Sequence, residues 1–70
     1  MNASHLRPGD AFKLPGVEGT WEALPETCVV RVVHRDYAGG GVTAHIARVA
    51  IRRSDNVRRA IRMDRQVSAP

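Results

Sequence analysis

From Cys28 to Arg35 the chain alternates strictly. Cys28, Val30, Val32 and His34 fall on one side, and Val29, Arg31, Val33 and Arg35 on the other. Four valines in five residues disfavour a helix, where β-branched side chains lose rotamer freedom, and favour a pleated, half-buried surface. The run therefore predicts a strand, apolar on both faces over part of its length. Such a strand needs a core on one side and either a core or a partner on the other. With only 70 residues, the chain has little material to supply both. A fold of this mass exposes roughly 4,300 Å² and buries about 60% of its open-chain surface. The apolar fraction is 43%, but nine of those residues are alanine, and Phe12, Trp21 and Tyr37 are the only aromatics. One thin core is the most this can build, and doubly wound nucleotide-binding domains and β/α barrels are excluded on length.

The rest of the chain reads as short β-elements separated by breakers. Residues 1–5 predict a loose polar tail, and 6–68 a single domain. Pro8-Gly9-Asp10 predicts a turn. In Ala11-Phe12-Lys13-Leu14, Phe12 and Leu14 share one face. Pro15 to Gly19 predicts a loop. Thr20 to Leu24 predicts a second strand, ended by Pro25. Asp36 to Gly41 predicts a loop with a glycine tip, and Arg52 to Asn56 a turn. Val42–Ile51 and Val57–Met63 are ambiguous. Val42, Ile46, Val49 and Ala50 suit one face of a helix, and Ser54 is placed to cap a second helix. The short β-like elements before them, and an apolar stripe too narrow for two helices, favour strands.

Pro8-Gly9-Asp10 opening a short strand, a Trp-bearing strand, a long valine-rich strand, a glycine hairpin and the closing Met63-Asp64-Arg65-Gln66-Val67 together resemble the SH3-like small β-barrel proteins. Among these they are similar to the small ones carried by phages and plasmids of GC-rich bacteria. The resemblance implies an all-β fold, a single small barrel of about five strands, and a habit of binding nucleic acid or protein segments. It implies no catalytic residues. An α+β fold ending in a basic helix is the alternative.

Net charge is +4. Residues 1–41 hold four basic and five acidic side chains, whereas residues 42–70 hold seven and two. That asymmetry points to a polyanion facing the C-terminal half. The seven are Arg48, Arg52, Arg53, Arg58, Arg59, Arg62 and Arg65, and guanidinium groups suit phosphate by bidentate geometry. The competing reading is a solvated arginine face that keeps a thin-cored protein in solution. Trp21 and Tyr37 are candidates for base stacking, with Trp21 better suited to the core.

Other chemistry finds little footing. Cys28, His5, His34 and His45 are too far apart in sequence for paired metal ligands, and Cys28 reads as a small buried hydrophobe. Gly39-Gly40-Gly41 lacks the Gly-Lys-Ser/Thr ending of a phosphate-binding loop. A lone cysteine and the lack of a signal-like or membrane-spanning apolar run predict a soluble, cytoplasmic protein. The functional expectation is a non-enzymatic module without cofactor that binds DNA or RNA through the seven arginines. The alternative is a protein-interaction module, docking on an acidic protein surface or self-associating through Val29 and Val33.

Overall fold

The computed structural model describes residues 1–34 and 40–70. It is an all-β chain. A 3₁₀ turn at Ala3–His5 precedes four strands: β1 (Ala11–Phe12), β2 (Trp21–His34), β3 (Gly41–Arg52) and β4 (Val57–Arg62). They form one antiparallel sheet in the order β1-β2-β3-β4. The stretches that read as strand or helix are β3 and β4. Their apolar positions pair across strands, Ile51 against Glu22 and Ile61 against Arg48, which settles the ambiguity through contacts remote in sequence. No helix of the described residues is long and apolar enough to cross a membrane.

The sheet is not closed. Where a fifth strand was expected, residues 66–68 make two isolated bridges, Gln66 to Asn2 and Ser68 to Lys13. Pro25 does not end a strand either. β2 runs through it, and the register against β3 shifts between Ala23 and Thr27. Proline is tolerated here because β1 pairs only with Trp21 and Glu22, so no ladder bond is asked of the missing N–H. The glycine-tip loop and Tyr37 fall largely on residues 35–39, outside the described residues.

One face of the sheet carries the core. Trp21, Ala23, Ala50 and Ile61 cluster with Ala3, Leu6, Phe12, Leu14 and Val67, which cover them from the two ends of the chain. The alternation expected at Phe12 and Leu14 is realised, since both are buried. The segment read as a loose tail is instead part of this cover. Ala3 is fully buried, its N–H donates to the Arg65 carbonyl at 2.9 Å, and Met1 accepts from the Val67 N–H at 2.8 Å. A chain with so few large side chains gains from enlisting even a terminal alanine.

The cover stops halfway. β4 pairs with β3 only over Ala47–Arg52, and β1 reaches only the first two residues of β2. Beyond them residues 29–34 and 41–46 continue as a two-stranded arm, about 20 Å long at the usual strand rise. The molecule measures 42 × 24 × 23 Å. Its radius of gyration, 13.4 Å, exceeds the ~11 Å of a compact chain of this length.

Trp21 is the largest fully buried side chain, 2% exposed at the centre of this core. Trp21→Ala is expected to remove about 3–5 kcal/mol, most of the stability that a domain of this size holds. Denaturant titration followed by far-UV circular dichroism checks it, and a folded, cooperative variant contradicts it.

Candidate nucleic-acid interface

The seven arginines of the C-terminal half do not form one patch. On the sheet face opposite the core, Arg58 lies across from Ile51 and Arg62 across from Ala47, and both of those apolar residues are buried. This face is laced with ion pairs. Arg53 meets Glu22 at 2.7 Å, Arg58 meets Glu26 at 3.4 Å, and Arg62 meets Asp64 at 2.9 Å. Glu22 and Glu26 come from the acidic half of the sequence, so antiparallel pairing neutralises much of the asymmetry that the linear chain displays. Exposed pairs of this kind contribute little to stability, but they engage the guanidinium groups. Arg48 is also occupied, donating from Nη1 to the Leu24 carbonyl at 3.1 Å beside the register shift.

Arg52 is a structural residue. Its guanidinium lies 5.0 Å from the centroid of the Trp21 ring, forks onto Asp55 at 2.9 and 2.8 Å, and donates to the Glu18 carbonyl at 3.1 Å. A cation over an indole face is attracted by the ring's quadrupole, and the fork fixes the tight turn before β4, where Asn56 takes φ 59°. The hydrogen bond from Arg52 holds the Asp55 carboxyl below its ordinary value, and the same bond raises the pKa of Arg52. Gly19 makes room for this side chain. Its φ is +92°, and a Cβ there would meet the Arg52 Cδ at 2.5 Å.

Arg59 and Arg65 remain. Among the described residues neither has a carboxylate partner. Arg59 projects from β4, the last strand of the sheet, and Arg65 follows the turn after it. With Arg62 they line an open depression of about 450 Å³ whose floor includes Val30, Ile61 and Gln66. Asp64 is also on its wall, its two oxygens already held by Arg62 at 3.2 and 2.9 Å. The depression thus presents two uncompensated cations, a third held in place, and one amide. That suits a phosphate oxygen approached from solvent.

The other candidates disperse. Cys28 is half-buried rather than part of the core. His34 ends β2 with its ring hydrogen-bonded to Thr43 Oγ1. His45 is half-buried, its Nδ1 3.4 Å from Arg62 Nη2. Among the described residues no three of His, Cys, Asp and Glu gather closely enough to hold a metal ion. Trp21 is core and offers no face for base stacking. Reading the sequence by itself missed Val42 and Ile46 as partners of Val29 and Val33. Their alternation was visible, but the register that aligns the two strands was not. The chain matches no family model, no curated protein and no solved structure.

Two outcomes follow from the Arg52 cluster. Asp55 titrates below an ordinary aspartate in the folded protein, so its contribution to stability is present above the unfolded-state pKa and fades as pH falls through the folded-state value. Carboxyl-resolved NMR titration checks this, and Arg52→Gln should return Asp55 towards its ordinary value. Gly19→Ala should lower stability by at least about 1 kcal/mol, because a side chain is strained at positive φ and displaces Arg52. A melting temperature equal to the parent's contradicts it.

Proposed function

We propose that this protein is a non-enzymatic nucleic-acid-binding module whose phosphate contacts are Arg59, Arg62 and Arg65, a subset of the seven arginines of its C-terminal half. The observation that carries the reading is the convergence of these three on one open depression, with Arg59 and Arg65 free of carboxylate partners among the described residues. Arg52, Arg53 and Arg58 are paired with carboxylates, and Arg48 donates to the Leu24 carbonyl. Cations dominate the depression, with Gln66 its one amide, so the binding is chiefly to the backbone of DNA or RNA and largely tolerant of sequence. The four-stranded sheet, with residues 66–68 bridging back to Asn2 and Lys13, fits an SH3-like small barrel whose last strand is rudimentary.

Two uncompensated cations imply weak, salt-dependent association. On a duplex the log–log slope of affinity against salt is expected near about −1.8, from −0.9 for each phosphate neutralised by Arg59 and Arg65. Arg59→Glu with Arg65→Glu should abolish the interaction at all but the lowest salt. Arg53→Gln, whose parent side chain is paired with Glu22, should leave it within about twofold, as for an exposed charge already neutralised. Gel-shift titration at several salt concentrations, with duplex and single strand, measures both. A slope near −6, or an Arg53 variant as defective as the double variant, would restore the broad arginine face. No shift at low salt with folded protein in excess removes the nucleic-acid reading.

A further inference from the structure

The face of the sheet that holds the core does not end where the core ends. Along β3 the residues on that side are Arg52, Ala50, Arg48, Ile46, Ala44 and Val42, and cross-strand pairing sets Val29 beside Ile46, Arg31 beside Ala44 and Val33 beside Val42. At the base these rows lie under Phe12, Leu14 and Val67. On the arm nothing among the described residues covers them. Val29, Val33, Val42 and Ile46 are 62–65% exposed. Four β-branched aliphatics on one side of a two-stranded ribbon make an unfinished core, and a lone two-stranded ribbon is marginal in water.

We infer that this face is the interface of a homodimer, in which the arms of two copies pack face to face and antiparallel. Two arguments select a second copy as the occupant. The first is area. The chain exposes 4820 Å², roughly 500 Å² more than a compact chain of its mass. Removing that excess from each of two copies buries roughly 1,000 Å², the lower bound of a specific interface, and does so with apolar side chains that already match in size. The second is continuity with the core. Because residues 3–14 and Val67 occupy the space over the base of this face, two copies bring the faces together only with their arms pointing in opposite directions. Each arm tip then meets the end of the other copy's core, so that each arm extends the apolar layer of its partner. Stacked sheets keep about 10 Å between them, which side chains of valine and isoleucine size fill.

The arrangement has a signature. A two-fold axis through the middle of the patch brings the Arg31–Ala44 row of one copy over the same row of the other, so the two Arg31 side chains approach. Their stems leave over the free outer edge of β2 with the charge in water, and the residual repulsion is screened by salt. Dimerisation therefore strengthens with salt, the opposite of nucleic-acid binding, and strengthens again when Arg31 is replaced by alanine. The inference is independent of the arginine depression, which lies along β4 and the turn after it and meets the arm at Val30, on its other face.

Sedimentation equilibrium of the full chain, from about 10 μM to about 1 mM, reads the association expected of so small an interface. A monomer–dimer equilibrium is expected, with a dissociation constant of micromolar or weaker that falls as salt rises. Arg31→Ala should tighten it severalfold. Val33→Lys with Ile46→Lys should weaken it by at least about tenfold, since buried unpaired charge is costly. Far-UV circular dichroism and thermal melting confirm that the variants remain folded, which the exposure of the substituted positions favours; Val33→Thr serves as the milder change. A wild type that stays monomeric at every concentration and salt overturns the inference. So does a dimer that the lysine variant leaves intact, which places the contact on another surface, or one that Arg31→Ala weakens.

Discussion

The structure depends on how far one small apolar cluster can reach. Trp21 and Phe12 are its largest members, and Leu6, Leu14 and Ile61 its next. Together with alanines they cover the first rows of a sheet whose two long strands run well past them. To achieve even this the fold recruits both chain ends. Ala3 and Val67 are buried, and Asn2 and Gln66 bridge each other. Among the described residues, the apolar side chains left on the arm have no counterpart with which to close. A small domain buries a limited fraction of its surface, and here the shortfall is concentrated on one face of one ribbon.

The same pairing that leaves the arm bare neutralises much of the basic half. Arg53 and Glu22 are 31 residues apart, and Arg58 and Glu26 are 32 apart, yet antiparallel strands bring them into contact over buried Ile51. Arginine stems cover apolar surface while their heads remain wet. The residues that made the C-terminal half look like a polyanion site thus serve partly as the lid of the back face. The arginines left around one depression are fewer: Arg59, Arg65 and the anchored Arg62.

Arg52 shows how much structural work a single arginine does in a chain poor in aromatics. It lies over the indole of Trp21, forks onto Asp55 and donates to the Glu18 carbonyl. The core, the turn before β4 and the loop ahead of β2 meet at this one side chain. That explains a glycine at position 19, where the backbone takes positive φ and the space for a Cβ is already filled.

Much of the local structure was legible in the residues alone. The valine alternation specified a strand, Pro8-Gly9-Asp10 and Arg52-Arg53-Ser54-Asp55-Asn56 specified turns, and Trp21 belonged in the core as the largest apolar side chain in a chain short of them. These are short-range matters of backbone preference and side-chain size. Pairing was not legible. Whether Val42–Ile51 coils or extends, whether Pro25 interrupts a strand or rides through it, and whether residues 1–5 are loose all turn on which segment lies alongside, and a single-segment pattern does not carry that information. The functional reading divides the same way. The sequence by itself determined that arginines abound in the C-terminal half and that one strand is apolar on both sides. Only the tertiary structure decided which arginines keep a free charge and which valines stay bare, because cross-strand register sets both.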